Sequence, residues 1–181
     1  MRMPTVTYEE WLRLPEVSDA TEEVVNGEVR ITPAPPWSHS EIVTNLDYLI
    51  APQVNSREVK VVTAQLGLII RRAPLTSRVP DLAVFEKRTI VVEDGYVHSA
   101  PQLVAEVLAP AETRRGLDEK LADYAALGVP EVWVLAPQGM TVEVLYLEEG
   151  LLRCAQILME GILTPKRFPK VKVDIAAIWP E

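Results

Sequence analysis

The spacing of hydrophobic positions changes period several times along the chain, and each change marks an expected element. Thr7 with Glu10 matches a capping box, so a short helix is predicted there, with Trp11, Leu12 and Leu14 as its apolar residues. The stretch EEVVNGEVRI, Glu22 to Ile31, reads as a β-hairpin, because Asn26-Gly27 between two strand-like arms is the usual two-residue turn. Pro33 to Pro36 ends it. Ser38 and Glu41 form a second capping box, and Ile42, Val43, Leu46, Leu49 and Ile50 follow at helical spacing, which predicts a helix from Ser38 to about Val54.

Further on, Val59 to Ile70 and Val79 to Phe85 are β-branched and apolar and predict strands, with RRAPLTSR as a polar loop between them. The run QLVAEVL, Gln102 to Leu108, is almost continuously apolar, as in a strand covered on both faces, and Pro110 closes it. Leu117, Leu121, Tyr124 and Ala125 trace one stripe of a helix that stops at Gly128, with Pro130 behind it. Glu131 to Leu135 is another strand. Thr141 to Leu147 and Leu151 to Leu158 form a hairpin, and Asp174 caps a last helical turn through Trp179. This order describes an α/β fold around a mixed sheet flanked by helices, with additional β-hairpins.

Composition narrows the functional classes. At 181 residues and 48% hydrophobic, the chain suits one core and one domain, residues 1–181. The 15 prolines are spread along it rather than gathered in a linker, so no domain boundary is placed. No uncharged apolar run reaches the roughly 18 residues of a membrane span, and the first residues lack the apolar stretch of a secretory signal, which predicts a cytoplasmic protein. A single cysteine, Cys154, excludes an intrachain disulfide and a multi-thiolate zinc site, and only His39 and His98 are available as imidazole ligands. A net charge of −8 argues against a dedicated, tight nucleic-acid binder. Phosphate loops, dinucleotide-binding turns, serine-hydrolase elbows and zincin helices find no match.

Two carboxylates fall where a core should have none. Asp81 follows Pro80 and enters Leu82-Ala83-Val84-Phe85, and Glu106 interrupts Val104-Ala105 and Val107-Leu108. An ionised carboxylate in a covered strand needs a compensating cation, and two of them on neighbouring strands make an oxygen-rich site for a hard ion such as Mg²⁺. Lys120 lies on or beside the stripe that faces the sheet, within reach of Glu106. Two carboxylates, an ion and a lysine are what phosphodiester hydrolysis requires. A loop-capping Asp81, an outward Glu106 and a snorkelling Lys120 are the plainer alternatives.

VPDLAVF followed by EVLAPAETRRGLDEKLADYAALGVPEVWVL resembles the Uma-two family of "putative restriction endonucleases", a branch of the PD-(D/E)XK nuclease superfamily. EEVVNGEV, PPWSHSEIVTNL and Tyr8-Glu9-Glu10 also look like that family, so the likeness covers nearly the whole chain. It implies a restriction-endonuclease-like fold, a Mg²⁺ or Mn²⁺ cofactor, nucleic acid (DNA foremost) as a weakly bound substrate, and a homodimer. It further implies that Asp81 and Glu106 bind the metal and that Lys120 is the displaced catalytic lysine, since Leu108 occupies the usual place. Glu23 becomes a further metal-binding carboxylate, with a solvated strand residue as its alternative. The chain departs from the family at Ala109, Gly116 and Ala136, where Ser, an acidic residue and Asp are usual.

Other residues keep two readings. His39 is a first-turn packing residue or, less simply, a catalytic base. Arg71, Arg72, Arg78, Arg114 and Arg115 are a basic rim for phosphates or plain solvated surface. The Trp and Tyr residues read as core or dimer interface rather than a base-stacking platform. The whole therefore reads as a metal-dependent endonuclease or, in a different class, as an inactive nuclease fold serving as a dimeric interaction or regulatory module.

Overall fold

Thr7 caps the first helix as its sequence predicts: in the computed structural model, its hydroxyl accepts from the Glu10 backbone N–H and the Glu10 carboxylate accepts in return. The structure describes residues 5–15, 17–63, 65–109 and 114–180. That helix, α1 (Tyr8–Trp11), buries Tyr8 and Trp11 and leaves Leu12 and Leu14 at the surface.

Next comes the hairpin of β1 (Ala20–Val25) and β2 (Glu28–Pro33). Asn26 and Gly27 both take positive φ, 53° and 83°, as a tight turn between twisted strands requires. A Cβ built on Gly27 would lie 2.7 Å from the Thr5 Cβ. Gly27→Ala is accordingly expected to cost about 1–2 kcal/mol, read as a lowered urea midpoint without a change of slope.

The helix α2 (Trp37–Ile50) buries Ile42, Leu46 and Ile50. The capping box expected at Ser38 and Glu41 is absent: the helix begins one residue earlier, Pro36 is the cap, and no side chain bonds to the first turn. The fixed φ of Pro36, −66°, sets the entry that a serine cap would otherwise provide. At the other end the helix passes into a short 3₁₀ turn, Ala51–Gln53.

The strand expected over Val59 to Ile70 is two strands in different sheets, β3 (Val59–Thr63) and β4 (Leu68–Arg72). The expected polar loop RRAPLTSR holds a further strand, β5 (Leu75–Arg78), in which all four residues are buried. It was hidden by polar side chains that find partners inside: the Ser77 hydroxyl accepts from Val24 N–H and the Thr76 hydroxyl from Asn26 N–H.

The chain continues through β6 (Leu82–Glu86), β7 (Val92–Glu93), β8 (Tyr96–Val97) and β9 (Leu103–Val107). Every residue of β9 is buried, as its apolar run predicts, while Pro110, expected to close it, lies outside the described residues. Helix α3 (Arg114–Leu127) leads to β10 (Glu131–Ala136). The hairpin β11 (Thr141–Glu148) and β12 (Leu151–Leu158) and the small pair β13 (Ile162–Leu163) and β14 (Val173–Asp174) complete the strands. Asp174 caps the closing turn Ile175–Ile178 as expected.

Two six-stranded sheets result, β2-β1-β5-β4-β8-β7 and β12-β11-β10-β9-β6-β3. In the second, β9 and β10 are parallel, joined across α3, and β6 runs antiparallel to β9. One face of this sheet packs Leu82, Ala105, Trp133 and Leu135 against α2 and the closing turn. On the other, Val104, Val132 and Val134 meet Leu117, Leu121 and Tyr124 of α3, and Ala83 and Phe85 meet Leu68 and Val97 of the first sheet. Among the described residues no helix is long and apolar enough to cross a membrane.

Candidate active site

Leu82 pairs with Ala105 across β6 and β9, so one step outward along both strands brings Asp81 opposite Glu106. Alternation along β9 puts Glu106 on the face of Val104, towards α3. There the helical stripe supplies Lys120 and, one turn later, Tyr124. The Lys120 Nζ is 3.1 Å from Glu106 Oε2, and the Tyr124 hydroxyl donates to Glu106 Oε1. Asp81 Oδ2 accepts from the Val107 N–H at 2.8 Å and lies 3.3 Å from His39 Nε2 in the first turn of α2. Asp81, Glu106, Lys120 and His39 thus come together from two strands and two helices.

Glu23, on β1, stands at the edge of this group. Its Oε1 is 4.0 Å from Lys120 Nζ and accepts from the Val79 N–H, while its Oε2 is held by Arg78 Nη1 at 3.0 Å. Among the described residues no three or more His, Cys, Asp or Glu side chains converge as a metal cage. The three-carboxylate set of Asp81, Glu106 and Glu23 is therefore not assembled, because Arg78 and Val79 hold Glu23 to one side.

Burial raises the Glu106 carboxyl to about 7; Lys120 opposes this, and the charge of Asp81 adds to it. The same burial, reinforced by Glu106, pushes the Tyr124 hydroxyl well above its ordinary value and keeps it a donor. His39 is raised mainly by its hydrogen bond to Asp81, against the opposing effect of burial. Two carboxylates facing each other across a strand pair, one of them resisting ionisation, suit a hard divalent cation. Mg²⁺ commonly takes one or two carboxylates and completes its shell with water and phosphate oxygens. The donor set fits such an ion.

Sequence reasoning missed the second layer of charge. Arg78, 2% exposed, is no part of a basic rim: its Nη2 is 2.8 Å from Asp123 Oδ2 and its Nη1 is on Glu23. Glu119 joins it at 3.6 Å and in turn takes Arg30 Nη1 at 2.6 Å. Arg72 likewise pairs, with Glu93, and sits over the Tyr8 ring. Tyr124 was legible, being four residues beyond Lys120 on the same stripe. No local signal marks the Arg78–Asp123 pair, whose members are 45 residues apart.

The sequence profile of the Uma2 (Uma-two) family, described as "Putative restriction endonuclease", matches residues 8–176. The chain belongs to the Uma2 family. A crystal structure from Anabaena variabilis, described as "a putative nuclease belonging to DUF820", shares its fold with a TM-score of 0.78. At 21% sequence identity the likeness covers 96% of this Uma2 chain and 97% of that one. No curated protein matches the sequence. In this Uma2 chain the residues carried over from the family resemblance, Asp81, Glu106 and Lys120, are the ones that meet at the ends of β6 and β9.

Proposed function

We propose that the protein is a metal-dependent nuclease that hydrolyses nucleic-acid phosphodiester bonds, with Asp81, Glu106 and Lys120 as its catalytic residues. The observation that carries this reading is the buried Glu106 carboxyl held between Lys120 and Tyr124 and opposite Asp81. Asp81 and Glu106 would hold Mg²⁺ or Mn²⁺, which when bound supplies charge to polarise the phosphate and to acidify water. Lys120, fixed by Glu106, orients the attacking water and offsets the negative charge that grows on the phosphate oxygens. His39, whose Nε2 lies 3.3 Å from Asp81 Oδ2, holds that carboxylate in position beside Glu106. Glu23 acts on Lys120 rather than on the ion, since its own oxygens are taken by Arg78 and Val79.

DNA is the substrate in this reading, weakly bound because the chain carries a charge of −8. A cytoplasmic setting is compatible with the exposed, unbridged Cys154. A homodimer is favoured by β12, the outermost strand of its sheet among the described residues, which also exposes Leu151 and Ile157.

Titration calorimetry with Mn²⁺ on wild type and Asp81→Asn, with plasmid nicking followed on the same samples, tests the assignment. Wild type is expected to bind one class of ion and to nick, and the variant to do neither. One observation favours a second reading, an inactive nuclease fold that serves as an interaction module: Lys120 and Tyr124 already satisfy both Glu106 oxygens. Absence of ion binding by wild type would decide for it.

A further inference from the structure

A chain with a net charge of −8 gains little from attraction to phosphates, the term that usually dominates nucleic-acid affinity. Where that term is weak, base stacking and apolar enclosure are the remaining sources of binding. An apolar cavity and an exposed aromatic side chain lie at the same end of α2 as His39, which reaches Asp81. A cavity of about 200 Å³ opens between the start of α2 and the ends of β9 and β10. Leu108, Ala109 and Ala136 give it an apolar lining, and Ser38, His39 and Gln138 are its polar side chains. His39 belongs to cavity and site alike, through its 3.3 Å approach to Asp81. Trp37 immediately precedes Ser38 and is 81% exposed, an unusual position for a large aromatic side chain.

We infer that this cavity receives one unpaired nucleobase of the substrate strand, adjoining the phosphodiester at Asp81 and Glu106, while the Trp37 ring stacks on a neighbouring base. The inference rests on the nuclease reading of the same site and adds the class of substrate, single-stranded nucleic acid. Whole-ligand pockets run to roughly 300–1,000 Å³, so this smaller space suits one planar ring system rather than an entire nucleotide. Ala109 and Ala136 leave the room that larger side chains would fill. Ser38 and Gln138 offer a hydroxyl and a carboxamide to the edge of a base, groups that suit several bases rather than one. A base inside a duplex cannot enter without being unstacked and unpaired, which costs a few kcal/mol that a single strand does not pay.

The test measures binding of a fluorescently labelled short oligodeoxythymidylate and of a duplex of equal length to the full chain in chelator, by anisotropy. Cleavage of the same probes is then followed with Mn²⁺. Wild type is expected to bind the single strand at least about tenfold more tightly than the duplex, and Trp37→Ala to weaken single-strand binding about tenfold. Ala136→Leu, which fills the cavity, is expected to weaken it similarly. Trp37→Ala is a surface change, so it keeps the test open even if Ala136→Leu fails to fold. Preferential single-strand binding lost in the variants, without any cleavage by wild type, would sustain the base-binding cavity and remove the nuclease reading. Cleavage of single strand and duplex alike, with Trp37→Ala binding as wild type does, would overturn the cavity and leave the nuclease. Failure of wild type to bind the single strand overturns the inference outright.

Discussion

Glu106→Gln is expected to abolish nucleic-acid cleavage while removing a pH-dependent weakness from the fold. The loss of activity should be on the order of 10²–10³-fold, the scale on which removal of one preorganised charge-stabilising group acts. The effect on stability runs the other way. In metal-free buffer the folded carboxyl titrates near 7, against an ordinary value of 4.5, because burial disfavours its charged form. Between those two values the unfolded chain has already released its proton while the folded chain retains it. Stability from this group is therefore complete below the ordinary carboxylate value and is lost as pH rises through about 7. The full loss amounts to roughly 3 kcal/mol, from the 1.36 kcal/mol carried by each pKa unit. Urea unfolding of wild type at about pH 5 and about pH 8 should show this decline, and Glu106→Gln should show much less of it. His39, whose raised value acts in the same direction, is present in both proteins and largely cancels in the comparison, since Asp81 is the main cause of its shift and the charge of Glu106 the smallest of those acting on it. Equal declines in the two proteins would mean that Glu106 is ionised without penalty.

Arg78→Met is expected to damage the fold severely. It would leave Glu23 and Asp123 facing each other's environment without the guanidinium that now lies 3.0 Å from one and 2.8 Å from the other. Removing one partner of a buried ion pair costs about 3–5 kcal/mol, chiefly the penalty of the charge left behind. Arg78→Lys should recover little, because a single ammonium cannot serve both carboxylates as the planar fork does. Adding Asp123→Leu to Arg78→Met should recover part of the loss by taking away the stranded charge. Guanidinium unfolding of these proteins, with Asp123→Leu alone to complete the cycle, measures all of this. Additive costs in the double variant would show that Arg78 and Asp123 are not coupled.

The parts of the fold that local pattern determines were legible. Asn26-Gly27 announced its hairpin, the almost continuous apolar run of β9 announced a strand buried on both faces, and the stripe through Leu117 and Leu121 placed Lys120 towards the sheet. Asp81 and Glu106 drew notice as carboxylates among apolar residues, and the structure sets Asp81 just before β6, beside Glu106 on the adjoining β9. What escaped was decided by partners distant in sequence. β5 looked like a loop because Thr76, Ser77 and Arg78 are polar, and their bonding partners lie about fifty residues away. Asp123 carries no mark in the sequence for the same reason, although it is 6% exposed. The false cap at Ser38 shows the converse case: the local signal was sound, but Pro36 had already begun the helix. Trp37 was grouped with core or interface aromatics because residue type alone does not tell which side of a first helical turn faces outward.

The charged side chains behind the site form a series of alternating sign, from Arg30 through Glu119, Arg78 and Glu23 to Lys120 and Glu106. Such a series constrains how the sequence can drift. Its outermost pair, Arg30 and Glu119, is partly exposed, yet Glu119 also touches Arg78, so exchanging the two signs together would set a new cation against an old one. Inner members are pinned from both sides, since each is the counter-ion of two neighbours. Neutral replacements can therefore enter the series only from its solvent end, one member at a time. Lys120, pinned between Glu23 and Glu106, is on this account among the last members that drift can replace.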